Sequence, residues 1–203
     1  FLNSERYLKY YPTVPQPQLG GRSMIIPQGR LLGGGSAINA MVYLRGQPQD
    51  YDAWAEATGD PGWGAAAMQR HFIGMEGNAE LSGPYHGTDG PLKVSHLGHM
   101  DPVTAAFLAA CAATGIPLNN DFNGASPSGA GRMQHTIDGR ARRRCSAARA
   151  FLAPLKGNPR LRLVTGARVT RLNLQGDRVT GVTYHDGRQT RRAEAEGGVI
   201  LTA

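Results

Sequence analysis

Cysteine is scarce in this chain: Cys111 and Cys145 are the only two, too few for a disulfide framework. Cys111 sits in the alanine-rich run AAFLAACAATG, where a thiol reads as a small buried hydrophobe. Lysine is nearly absent. Lys9, Lys93 and Lys156 stand among 22 basic residues, so the net charge of +7 is carried by arginine, which suits bidentate contact with phosphate or carboxylate. That charge alone does not choose between nucleic acid, an anionic cofactor and a soluble surface. No apolar run approaches the roughly 20 residues of a bilayer-spanning helix. Neither G-x-G-x-x-G nor a Walker-type Gly-Lys-Ser/Thr ending occurs, which excludes the simplest nucleotide loops. The chain opens on Phe1 with no charged-then-apolar leader, and it reads as a processed or truncated piece.

What is present is globular in character. A chain of 203 residues, 40% hydrophobic and 18% charged, is long enough for one large domain or two small ones. Residues 1–22, polar and proline-rich, read as an extended connection, and Ser23–Pro27 as a short strand. Ser36 is placed to cap a helix running to about Leu44. Pro48, Asp50 and Asp52 open a second helix that Gly59 stops. WGAAAMQRHFIGMEG has helical spacing, with His71 on a partly buried face. Residues 77–90 are turn chemistry and mark a boundary. PLKVS reads as a strand, Asp101–Pro102 as the cap and first turn of a helix closed by Gly115, RMQHTI as a strand, and Ser146 as a cap for SAARAFLAPL. The end turns β-rich: LRLVT is a strand, Val169 to about Ala195 an antiparallel meander, and GVILTA a strand buried in a parallel sheet.

The stretch GRLLGGGSAINAMVYLRG (29–46) raises the functional question. Bare glycines let backbone N–H groups approach a ligand, and a helix start directly after them favours an anion such as a pyrophosphate. A tight turn with close helix packing explains the same residues equally well. The residues alone leave both readings open.

The longer stretch is more specific. GRLLGGGSAINAMVYLRG followed by QPQDYDAWAEATGDPGW resembles the first signature region of the glucose–methanol–choline (GMC) oxidoreductases, flavoenzymes that oxidise alcohols with FAD. GPLKV, DFNG, RRRCSAARAFL, NPRLRLVTGARVTRL and GVILTA follow in the order that family shows, and the pattern looks most like its choline-dehydrogenase-like and aryl-alcohol-oxidase-like members. The resemblance implies a mixed α/β fold: a partial Rossmann-like FAD-binding domain (1–76 and 158–203, the latter with the meander) and an inserted, partial substrate-binding domain (77–157). It implies Gly34, Gly35 and Ser36 along the FAD pyrophosphate, Asn39, Ala40, Met41 and Val42 beside the flavin ring, and the main chain of Val169 against the adenine half. Ile38 stands where some members carry a histidine that attaches FAD covalently, so FAD is expected to be dissociable. The partners implied are a small-molecule alcohol and oxygen or another electron acceptor.

The resemblance also places a GxGxxG unit before Phe1 and the catalytic histidine pair beyond Ala203. The chain is therefore expected to be an internal segment that carries no catalytic residue and is inactive, weak in FAD binding and poorly soluble alone. A cyanohydrin-cleaving lyase of the same fold is the nearest alternative. From a different class, Arg142–Arg144 suggest a nucleic-acid surface, but no aromatic pattern for base stacking accompanies them, and Arg144 is expected to pair within the fold. His96 and His99 lack further metal ligands, His86, His135 and His185 read as isolated, and no carboxylate pair suggests glycosidase chemistry.

Overall fold

The computed structural model describes residues 4–202, so residues 1–3 of the expected connection and Ala203 of GVILTA lie outside the described residues. The chain divides into two compact units, one ending at Lys156 and the other starting at Gly157.

The first unit opens on an antiparallel pair, β1 (Leu8–Pro12) and β2 (Ile25–Gly29), in register from Leu8↔Gly29 to Pro12↔Ile25. A strand thus lies within the segment expected to be a mere connection. Its anchor is Leu8, only 2% exposed. Helix α1 (Pro48–Thr58) begins with a reciprocal cap, in which the Gln47 backbone N–H donates to the Asp50 carboxylate at 2.8 Å, and ends at Gly59 with φ +67°. Helix α2 (Ala65–Met75) starts after a glycine that offers no side-chain cap, and Asp52 of α1 supplies one, accepting from Ala65 N at 2.9 Å. Tyr51 fastens the two helices, its ring 5.7 Å from that of Phe72. His71 lies on α2 but is exposed, because the buried stripe runs through Ala67 instead.

Strand β3 (Glu76–Asn78) follows α2 without a loop and pairs in parallel with β4 (Leu92–Val94). Every residue of β3 is buried. Two glycines of the intervening turn make this possible: a Cβ on Gly87 would lie 1.9 Å from the Ile73 carbonyl oxygen, and one on Gly90 2.3 Å from the backbone of Met75. Asp101 caps α3 (Pro102–Ala113) by accepting from Val103 N at 2.8 Å. The RMQHTI segment gives only bridges at His135 and the short β5 (Ile137–Asp138), paired with β6 (Arg143–Arg144). Cys111 and Cys145 are both buried. A helical segment, Ala148–Leu152, continued by Ala153–Leu155, closes the unit.

The second unit is an antiparallel meander of β7 (Arg168–Gln175), β8 (Arg178–His185) and β9 (Thr190–Glu194). An Arg191–Asp186 ion pair braces the last turn. LRLVT (161–165) and residues 198–202 form no ladder, contrary to expectation. An apolar strand is held by backbone pairing as well as burial, and no partner strand lies beside either segment among the described residues; Ile200 is 89% exposed.

Candidate functional site

The glycine stretch folds as a single short turn of 3₁₀ helix, Gly34–Ala37, and the helix expected as far as Leu44 does not form. The cause is visible in the carbonyls. Arg144 donates from Nη1 to Ser36 O at 3.2 Å and to Asn39 O at 2.8 Å, taking acceptors a helix would need. The Tyr43 N–H, which a helix would send to Asn39, instead reaches Gln134 O at 2.8 Å. Met41 sits between them at φ +66°, in the left-handed region, at a cost of about 1–2 kcal/mol for a side chain of this kind. Two partners hold it there: its N–H donates to Asn39 Oδ1 at 3.0 Å, and its carbonyl accepts from Thr136 N at 2.7 Å.

The glycines divide into two kinds. Those facing inward serve packing: a Cβ on Gly29 would lie 2.4 Å from the Gly34 carbonyl oxygen, and one on Gly33 (φ +91°) 3.3 Å from Ser146 Oγ and Ala148 Cβ. Gly34 and Gly35 face the other way, and a Cβ built on either meets nothing within 4 Å. Gly33 therefore serves packing and Gly34, at φ +50°, serves the turn, while a side chain at Gly34 or Gly35 would meet open space. That open side leaves room for an elongated group, although the Gly34 and Ser36 N–H groups already donate to Leu31 O and Gly33 O within the turn.

The other expected residues fall as follows. The Ser36 hydroxyl works within the fold, donating to Gly33 O at 2.5 Å and accepting from Ala147 N at 2.9 Å. Asn39 is exposed, and its side-chain oxygen accepts from Arg144 Nη1 at 2.9 Å as well as from Met41 N. Ala40 is exposed, and Val42 is 46% exposed and bridges to His135. Arg144 thus ties the loop at Ser36 and Asn39. Val169 belongs to the second unit, in β7 opposite Tyr184, and is 52% exposed.

Behind the loop lies a buried polar cluster. Arg45 Nη2 meets Glu76 Oε2 at 2.5 Å, with the two side chains 8% and 0% exposed. Its Nη1 donates to Tyr85 O at 2.7 Å. The other Glu76 oxygen accepts from Asn78 Nδ2 at 2.8 Å and lies 3.1 Å from His86 Nδ1, while His86 Nε2 is 2.9 Å from Asp121 Oδ2. Asn123 then ties the cluster to the loop, accepting from Arg45 N at 2.8 Å and donating to Tyr43 O at 3.1 Å. His86 is therefore not isolated. Burial raises the pKa of the Tyr43 hydroxyl, against the pull of Arg45. Burial likewise lowers that of His135.

Two hollows flank this framework. One of about 100 Å³ lies between Arg45, Tyr51, Phe72 and Tyr85 and is too small for a typical ligand. The other, an open cleft of about 710 Å³, is lined by Val42, Leu97, Met100, Arg132, Met133 and Arg142 among others.

Residues 13–203 match the family model described as GMC oxidoreductase. The chain belongs to the GMC oxidoreductase family. Within that family, it is 38% identical over 202 residues to the oxygen-dependent choline dehydrogenase of Brucella anthropi, a match covering 100% of this chain and 36% of the relative. Its fold is similar to that of pyridoxine 4-oxidase from Mesorbium loti (TM-score 0.87, 32% identity, 94% of this chain and 37% of that one). It is also similar to an FAD-dependent oxidoreductase from Chaetomium thermophilum (TM-score 0.86, 28% identity, 94% and 35%). This GMC chain thus spans little more than a third of the length of the proteins it matches, and its mixed α/β architecture is theirs.

Proposed function

We propose that this chain forms part of the cofactor and substrate framework of an FAD-dependent enzyme that oxidises an alcohol. The observation that carries the reading is the outward, side-chain-free backbone at Gly34–Gly35, joined through an Arg144-pinned turn to the strained Met41. FAD, when bound, supplies the acceptor for hydride from the alcohol carbon. The residues of this chain bind and orient. Gly34, Gly35 and the backbone of Ser36 lie along the diphosphate, with no Cβ at the two glycines. Asn39, Ala40, Met41 and Val42 line the ring, and the fixed carbonyl and amide directions around Met41 set its position. Val169 contributes main chain toward the adenine half. Residues 1–76 and 158–203 belong to the FAD-binding part and 77–157 to the substrate-binding part. Ile38 offers no nucleophile, so the flavin is held without a covalent bond.

The reading draws support from the names of the similar proteins: choline and pyridoxine are both alcohols, and one neighbour is named as FAD-dependent. Its test is to express the complete reading frame, purify it and record the visible spectrum. The expected result is a yellow protein whose flavin band bleaches when alcohol is added without oxygen, and whose flavin is released by acid precipitation. A colourless protein that takes up no FAD on refolding overturns the reading.

A further inference from the structure

The cleft of about 710 Å³ beside Val42 is of the size that accommodates a small organic molecule. We infer that it receives an alcohol with an apolar body and a carboxylate, and that it selects against quaternary-ammonium alcohols. The inference rests on the flavin reading above for the placement of the reacting end, because Val42 both lines the cleft and belongs to the stretch assigned to the ring.

Three observations carry it. The cleft is lined by the apolar Val42, Leu97, Met100 and Met133 together with two guanidinium side chains, Arg132 and Arg142. Guanidinium groups stay charged at any working pH and bind carboxylates through paired N–H donors. The Arg132 guanidinium is held in place by a bond to the Leu97 carbonyl, which leaves the rest of its donor fork for a ligand. Asp101 is the single carboxylate in the lining and caps α3 through one oxygen, accepting from Val103 N, so the lining side chains of fixed charge sum to a net positive charge.

The cleft also lacks what a quaternary ammonium needs. No Phe, Tyr or Trp is among the described residues lining it, so no aromatic face is offered to a cation. Two arginines would repel one. Third, Met41 and Arg142 are the only non-glycine residues with positive φ among the described residues, at +66° and +50°. One adjoins Val42 and the other lines the cleft, and held strain of this kind concentrates at ligand sites. Among the described residues the cleft thus offers guanidinium groups and no aromatic face.

The test uses the full-length, flavin-loaded protein and three alcohols of one shape: 4-(hydroxymethyl)benzoate, 4-methylbenzyl alcohol and 4-(hydroxymethyl)phenyl-trimethylammonium. Anaerobic flavin bleaching gives kcat/KM for each. The expected order is anion, neutral, cation, with the anion ahead of the neutral by about tenfold, as one charged hydrogen-bond pair supplies. Arg132→Gln and Arg142→Gln each lower the anion-to-neutral ratio several-fold, the double variant removes it, and Arg132→Lys, which keeps the charge but loses the paired donors, retains only part of it. Equal rates for the three alcohols, preference for the cation, or a ratio unmoved in the double variant overturns the inference. Calorimetric binding of 4-methylbenzoate to the same proteins decides the cleft independently of turnover. Binding that the double variant abolishes supports it even if the protein is colourless and the flavin reading fails. No binding to the unaltered protein overturns it even if the flavin is present.

Discussion

Replacing Glu76 by leucine is expected to be the most damaging single change in the first unit. The Glu76 carboxylate is 0% exposed and takes four contacts: Arg45 Nη2 at 2.5 Å, Gly87 N at 3.2 Å, Asn78 Nδ2 at 2.8 Å and His86 Nδ1 at 3.1 Å. Glu76→Leu leaves the Arg45 guanidinium, itself 8% exposed, buried without its counter-ion. Breaking such a pair from one side costs about 3–5 kcal/mol, a large share of a total of about 5–15 kcal/mol. Removing both charges together is different, because no uncompensated ion remains. Arg45→Met combined with Glu76→Leu should therefore cost clearly less than the sum of the two single changes. The assay is urea denaturation of the full-length protein, followed by circular dichroism, for the two single variants and the double. A Glu76→Leu loss of no more than about 1 kcal/mol, or strict additivity in the double variant, would refute the reasoning, since either means the pair is not energetically closed off from water.

Three further outcomes follow from the same geometry. Met41→Val puts a β-branched side chain at φ +66° and should lower stability by about 1–2 kcal/mol, measured as a shift in the urea midpoint. Arg144→Met removes the donor that pins Ser36 and Asn39 and should weaken FAD binding about tenfold in a flavin titration, with the circular dichroism spectrum retained. The pKa of Glu80 reflects two opposed influences: burial, the larger single one, raises it, but hydrogen bonds from the His96 backbone and ring together hold it below its ordinary value of 4.5. A depressed folded value means that the contribution to stability is complete above the unfolded pKa and is lost as pH falls below about 4.5. Glu80→Gln should flatten that acid limb of a stability-versus-pH curve; an unchanged limb refutes the assignment.

The legible parts of the fold were those written in short-range chemistry. Asp101–Pro102 capped α3, Asp50 and Gly59 bounded α1, and the alternation from Val169 onward gave the meander, because each signal lies within a few residues of what it controls. The expected helix after Ser36 failed for the opposite reason. Its carbonyls are claimed by Arg144, more than a hundred residues away in sequence, and no local propensity reports that. The pairing of Arg144 within the fold was foreseen, but not its partners. The buried cluster went unread because β3 is polar, Glu-Gly-Asn, and shows no hydrophobic alternation although all three residues are buried. The usable signal was the placement of Glu76 immediately after an apolar helix, ten residues ahead of a histidine in a glycine-rich turn.

The flavin content of full-length Gly35→Val tests the central claim most directly. A Cβ at Gly35 meets nothing within 4 Å, and its backbone is not in the left-handed region, so the fold should tolerate the change. If the bare face lies against the cofactor, the purified variant keeps its circular dichroism spectrum and urea midpoint but loses most of its bound flavin. A folded variant with full flavin occupancy would contradict the account.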